Sequence, residues 1–199
     1  MIIGDNMKKY IGYIFLIILI VLWLFYLWFG REQAYTANLF YMDTYISVEV
    51  YTNSSKKAND ALRVIEQLYS DFHKLTDRYD KNSQISYIRD NEKDDMYLPI
   101  DNRLYKLLEY GKAMYLDTDG LMNINMGNAI DLWKSYRDLG TGIPTEEELS
   151  TLGSTSIDDI VLKDGMILNS HPNIDLGAIS KGYVTELAGD FTQSRSAIS

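Results

Sequence analysis

The chain has 199 residues, 46% hydrophobic and 24% charged, which is apolar enough to bury a core and excludes a disordered acidic tail. Its formal charge is −9 and it has no long basic run, so nucleic-acid binding is set aside. Cysteine is absent, which removes disulfides, cysteine-zinc sites, cysteine nucleophiles and a lipid-modified N-terminal cysteine.

No residue from Tyr10 to Gly30 is charged, and Ile11 to Phe29 is almost entirely aliphatic and aromatic. At about 1.5 Å rise per residue, roughly 20 helical residues cross a hydrocarbon layer of about 30 Å. Residues 10–30 are therefore expected to form one transmembrane helix. A cleaved signal peptide is shorter and ends in small residues, whereas this run ends in Tyr26, Trp28 and Phe29, which suit an interfacial aromatic belt. An uncleaved signal anchor follows from this. Lys8 and Lys9 precede the span, which puts residues 1–9 in the cytoplasm and the rest of the chain outside. Residues 31–38 read as a linker and residues 39–199 as the exported domain.

In Leu39 to Tyr51 the even positions Phe40, Met42, Ile46, Val48 and Val50 are apolar, which predicts one half-buried strand. Ala58, Ala61, Leu62, Ile65, Leu68, Phe72 and Leu75 recur at spacings of three and four, the pattern of an amphipathic helix ending near Leu75. A polar loop should then lead through Asn91 to Asp95 to Pro99. A second helix is expected from an Asp101 cap through Met114 to a stop at Asp119-Gly120. Thr145 with Glu148 three residues on reads as a capping box that starts a short helix. Ile157 to Leu162 and Met166 to Asn169 read as a hairpin turning at Asp164-Gly165. A short strand, Asn173 to Leu176, should run through Gly177 into a helix from about Ala178 to Phe191. Strands and helices that do not alternate strictly indicate an α+β fold.

The last strand-to-helix junction carries the most chemistry. A glycine turn into a helix N-terminus offers unpaired amides and the positive end of the dipole to a phosphate. Lys181, one turn in, adds a point charge, and Asp175 can accept from a ligand hydroxyl or ring nitrogen. Residues 118–125, followed by Asp131-Leu132-Trp133, are by composition a helix stop and a buried tryptophan. His73 and His171 lack a second ligand or a paired nucleophile nearby and read as structural or exposed. Asp94-Asp95 and Asp158-Asp159 are adjacent, so in a strand each pair faces opposite sides and cannot share a metal. Glu146 to Glu148 suit a helix N-terminus. Neither GxGxxG nor GxxxxGK[ST] occurs.

Taken in order, four segments resemble the ApbE family of FAD:protein FMN transferases. They are Met42-Asp43-Thr44, the loop Tyr79 to Ser86 with its serines at 83 and 86, Thr118 to Asn123 with Leu132-Trp133, and Asp175-Leu176-Gly177-Ala178-Ile179-Ser180-Lys181-Gly182-Tyr183. The resemblance, from about Phe40 to Asp190, implies an ApbE-like, T-fold-like flavin transferase domain. It implies a bacterial enzyme that takes FAD and Mg²⁺ and moves FMN to a threonine hydroxyl of an exported protein, with AMP released, which agrees with the expected membrane anchor. Met42, Tyr79, Leu121, Met122, Asn123, Asp175 and Lys181 would contact FAD, with Asp175 and Lys181 also serving the reaction. Ala178 would offer its carbonyl to the metal.

Asn123 stands where the family has aspartate, which removes a charge. The family domain also continues into a Gly-Gly strand and a metal-binding Asp-x-x-x-Thr segment, roughly where this chain stops at Ser199. The expectation is therefore a C-terminally incomplete domain whose own activity is weak. An FAD pyrophosphatase and a membrane-tethered flavin-binding module without catalysis are the alternative readings.

Overall fold

The computed structural model describes residues 3–29, 31–91, 96–140, 142–168 and 173–196. The chain divides into two compact units, residues 1–39 with 45–64 and residues 40–44 with 65–199.

The first unit contains helix α1 (Ile3–Phe29) and most of a hairpin of β1 (Gln33–Tyr41) and β2 (Thr44–Thr52). It also takes the first turns of α2 (Ser55–Thr76), where Ala58 is fully buried. Helix α1 forms where the apolar run predicts it, and its described side chains from Tyr10 to Tyr26 are all exposed. Among the described residues no helix is long and apolar enough to cross a membrane.

Two expectations are corrected here. Gln33 to Asn38 is not a linker but part of β1, and the single strand 39–51 is folded back on itself. Met42 and Asp43 adopt φ of 53° and 54°, the conformation of a two-residue type I′ turn. Such a turn pairs odd residues of one strand with even residues of the other. The inward side therefore switches from Tyr35, Ala37 and Leu39 in β1 to Ile46, Val48 and Val50 in β2, and Phe40 points outward at 56% exposure. The alternation seen in the sequence is correct only beyond the turn.

The second unit holds α3 (Gln84–Asp90), β3 (Tyr97–Pro99), α4 (Asn102–Asp117), α5 (Gly127–Leu139) and α6 (Glu146–Ser150), and continues to α7 (Ser180–Ser196). Strands β4 (Leu162–Lys163) and β5 (Met166–Leu168) lie between α6 and α7, and β3, β5 and β4 make an antiparallel sheet in that order. Asp164 and Gly165, at φ 50° and 78°, form the expected turn and pair Lys163 with Met166. The first part of the expected strand, Ile157–Asp159, is instead one 3₁₀ turn capped by the Ser156 side chain. Asn169, His171 and the Asp94-Asp95 pair lie outside the described residues.

Leu104, Leu107 and Leu108 of α4 are fully buried, together with Phe72 from the end of α2 and Val184 of α7. The Tyr183 ring meets Phe72 edge-on at 5.8 Å and Tyr110 at 5.1 Å, while Tyr69 Oη and Thr185 Oγ1 share a hydrogen bond of 2.8 Å. These contacts pack α7 against α2 and α4 and so hold the start of α7 in place.

Two helix starts follow the sequence closely. Thr145 and Glu148 form a complete capping box, and Asp101 caps α4 by accepting from the Arg103 amide at 2.8 Å. The Arg103 guanidinium also donates to Asp101 at 2.7 Å and to Asp71 at 2.7 Å. Its hydrogen bond holds the Asp101 carboxyl below the usual carboxylate range. A carboxyl depressed in the folded state stabilises above its unfolded pKa, and that contribution is lost as pH falls through the folded value. The urea midpoint of wild type should therefore exceed that of Asp101→Asn at neutral pH. The gap should close as pH drops below about 3.9, and a gap independent of pH would refute the ion pair's role.

Helix α3 begins in the segment that the sequence reads as a polar loop, and α5 covers residues to which the sequence reading assigns no element. Ser83 caps α3 by accepting from the Ser86 amide at 3.1 Å, so the paired serines are the start of a helix that buries Ile85, Ser86 and Ile88. Residues 173–176 join no ladder among the described residues. They are stitched to residues 124–127 instead: Asp175 N donates to the Ile124 carbonyl at 2.8 Å and Gly127 N to the Asn173 carbonyl at 2.7 Å. Asn125, fully buried, accepts from Asn173 N at 2.8 Å and donates to the Ser156 carbonyl at 2.7 Å.

Candidate functional site

A cleft of about 240 Å³ opens within the second unit where three separate segments meet. The hairpin tip supplies Met42, Asp43 and Thr44. The end of α2 and the loop after it bring His73, Thr76, Asp77, Arg78 and Tyr79, and the junction before α7 brings Asp175 to Gly177, Ser180 and Lys181.

Each wall has a local cause. Asp77 accepts from the amides of Tyr79 and Asp80 at 2.9 and 3.3 Å, a side-chain turn that bends the loop at 77–80. Ser86 Oγ and Arg89 Nη1 both donate to the Arg78 carbonyl, at 3.2 and 2.9 Å, and so fix that turn from below. At the junction, Asp175 Oδ1 accepts from the Gly177 amide at 2.8 Å, and Ser180 Oγ donates to the Leu176 carbonyl at 2.7 Å. Lys181 Nζ donates to the Gly177 carbonyl at 3.1 Å, which keeps its ammonium at the rim. The helix begins at Ser180, so Ala178 lies in the turn before it.

Arg78 lies beneath these groups and is 9% exposed. Its Nη2 donates to Asp131 Oδ2 at 2.6 Å and its Nη1 to the Ile174 carbonyl at 3.2 Å, with Asp175 Oδ2 at 3.7 Å. The other oxygen of Asp131 accepts from Tyr79 Oη at 3.0 Å. Partial burial and this hydrogen bond both hold the Tyr79 phenol above its ordinary pKa, so it is neutral and a donor at physiological pH. Lys134 Nζ stands 3.9 Å from the centre of the Tyr79 ring, a cation-π contact.

The structure thus brings Met42, Tyr79, Asp175 and Lys181 to one cleft, four of the residues the resemblance singles out. Leu121, Met122 and Asn123 do not line it. Leu121 is 92% exposed, and Met122 N donates to Thr118 Oγ1 at 2.9 Å. Asn123 Nδ2 donates to the Thr155 carbonyl at 2.8 Å while its Oδ1 accepts from Asn125 N at 2.9 Å. An aspartate could not make the first of these bonds, so the carboxamide here serves the local backbone. His73 lines the cleft, its ring 6.0 Å from that of Tyr41, and Trp133, read as buried, is 47% exposed on α5.

Sequence reasoning passes over Arg78 and Lys134 and leaves Asp131 with a bland role. The one signal available for Arg78 is its place directly before Tyr79.

The ApbE family model matches residues 42–198. The chain belongs to the ApbE family. Among solved structures it is similar to the ApbE protein from Thermotoga maritima, at 23% identity and a TM-score of 0.69, over 81% of this chain and 53% of that one. The flavin transferase ApbE from Vibrio cholerae is similar at 18% identity and a TM-score of 0.69, over 83% and 55%. The apo flavinyl transferase ApbE from Pseudomonas stutzeri is similar at 15% identity and a TM-score of 0.71, over 82% and 56%. The chain spans about half the length of these solved relatives. No match was found among curated proteins. The family and the likeness establish an α+β, ApbE-like fold.

Mg²⁺ is a hard cation that takes several oxygens in octahedral geometry. Among the described residues no group of three or more His, Cys, Asp or Glu is placed to hold a metal, and the Ala178 carbonyl alone makes no such site. The described residues do not by themselves fit a magnesium site.

Proposed function

We propose that the protein is an FAD:protein FMN transferase, moving FMN from FAD to a threonine hydroxyl of an exported protein. In this reaction the threonine oxygen bonds to the phosphorus of the FMN half, the pyrophosphate P–O bond breaks, AMP leaves, and the hydroxyl proton passes to solvent or a base. The observation that carries the reading is the single cleft into which the fold gathers Met42, Tyr79, Asp175 and Lys181 from three segments. Lys181 and the amides at the start of α7 would meet the diphosphate, and Asp175 and Tyr79 would meet polar atoms of the nucleotide. Such transfer depends on positioning and charge, so no Ser-His-Asp set is needed. The Mg²⁺ that the resemblance attaches to the reaction belongs to this reading for the whole protein only.

Residues 10–30 are proposed as a single-pass signal anchor of a bacterial cell membrane, with residues 1–9 in the cytoplasm and the chain from residue 31 on the extracytoplasmic side. The uncharged run from Tyr10 to Gly30 supports this, as does the exposure of the described side chains from Tyr10 to Tyr26. A helix apolar on every face belongs in the core of a large protein or in a membrane.

The test is incubation of the detergent-solubilised protein with FAD, Mg²⁺ and exported proteins from the same membrane. Transfer yields a covalently fluorescent acceptor band and one AMP per flavin attached. FMN and AMP without a labelled band would indicate a pyrophosphatase, and quenched flavin fluorescence without either product a binding module.

A further inference from the structure

We propose that Arg78 is the positioning residue of the cleft. One buried guanidinium holds Asp175 on one side and, through Asp131, the Tyr79 phenol on the other. This rests on the flavin reading of the cleft, which assigns the nucleotide contacts to Asp175 and Tyr79.

The geometry has three parts. Arg78 is 9% exposed, and its Nη2 bond to Asp131 of 2.6 Å is a charge-assisted one. Asp131 uses its two oxygens for two different partners, Arg78 and Tyr79, so the phenol is held at the end of a chain that begins at the guanidinium. Arg78 Nη1 reaches the other wall, where it donates to the Ile174 carbonyl and stands 3.7 Å from Asp175 Oδ2. The loop at 77–80 and the junction at 174–177 come from distant parts of the chain, and this cation spans both.

Charge gives the arrangement a second consequence. Asp131 and Asp175 are two carboxylates beside a cleft that is to receive an anionic diphosphate. The Arg78 cation between them offsets that repulsion, most of all at Asp175, where both side chains are largely buried and water screens poorly, and less at the half-exposed Asp131. Lysine is no substitute, because an ammonium is a compact point charge without the planar fork that serves two partners in different directions.

The test uses the full chain in detergent, labelled with ¹³Cζ-tyrosine, at neutral pH. The Tyr79 resonance is identified by its loss in Tyr79→Phe. Tyr79 is 58% exposed, so the resonance reports the carboxylate partner of its phenol rather than burial: without ligand, Arg78→Lys and Asp131→Asn should both move it to the position of a tyrosine that donates to water. With FAD, measured by quenching of flavin fluorescence, each variant should bind roughly 10-fold more weakly, the loss expected for one charge-assisted hydrogen bond. The double variant should bind no more weakly than the worse single one, because both act through one chain of contacts. A merely structural role would lower the melting temperature and leave the resonance and the FAD affinity at wild-type values, and that result overturns the proposal. If Arg78→Lys does not fold, Asp131→Asn, whose side chain is 43% exposed, decides by the same two readouts. If wild type binds no FAD, the flavin reading falls, and the Tyr79 resonance in the variants alone decides for or against Arg78.

Discussion

Replacing Gly127 by alanine should destabilise the second unit by about 3 kcal/mol or more, the range for disrupting a buried ion pair. A Cβ at this position would overlap Arg78 Nη1 and come within 2.6 Å of its Cζ and 2.8 Å of the Asn173 carbonyl oxygen. Neither side can yield easily. The backbone of residue 127 is tied to that same carbonyl by its own amide at 2.7 Å, and the guanidinium is held by Asp131 and Ile174. The added methyl must therefore expel a buried cation from its partners or break the stitch between residues 127 and 173. For a chain of this size the melting temperature should fall by roughly 10 °C. Gly189→Ala supplies the comparison, because Gly189 lies in α7 and a Cβ there meets open space. Thermal unfolding should leave that variant at or slightly above wild type, as alanine favours the helix. A melting temperature of Gly127→Ala within a degree of wild type would show that Arg78 is not held as described.

Lys181→Met should lower FMN transfer by about two orders of magnitude while leaving the melting temperature nearly unchanged. The methionine keeps the apolar stem of the side chain and removes the ammonium. In the folded protein that ammonium makes one exposed bond, to the Gly177 carbonyl at 3.1 Å, so its loss costs little stability. In the reaction it would face the charge that develops as the pyrophosphate bond breaks, and removing one such donor typically costs about 10²- to 10³-fold. AMP release and covalent flavin on the acceptor measure the rate, and a thermal melt measures the fold. Wild-type transfer in Lys181→Met would remove Lys181 from the diphosphate and move the search for that charge to Arg78 and the helix amides.

The resemblance is legible in the sequence because its motifs are short, but the roles of their residues are only partly so. Ser83 and Ser86 are visible as spaced serines, and the structure shows that they cap α3 and hold the Arg78 carbonyl. Asn123 is visible as a departure from the family's aspartate, and the structure gives its amide a backbone partner that a carboxylate could not serve. Helix α5 escapes a sequence reading because its start has no side-chain cap: Met126 makes no capping hydrogen bond, and the Gly127 amide is satisfied by Asn173 instead.

By itself the sequence determined the features whose causes lie within about four residues. These are the Asp101 cap and the stop at Asp119-Gly120 around α4, the Thr145 capping box, the Asp164-Gly165 turn, and the periodicity of α2. Caps and tight turns are closed by neighbours in the chain, so their chemistry is written locally. The fold-back at Met42-Asp43 is also local, but Met-Asp lacks the Asn-Gly or Asp-Gly signature of a type I′ turn. Only the tertiary structure decided that Trp133 faces outward and that Arg78 joins Asp131 to Ile174. The Arg78 partners lie 53 and 96 residues away, and a spacing of that size leaves no periodic trace. Their meeting depends on α7 packing on α2 and α4, because burial of the apolar faces brings the polar groups beneath the cleft together.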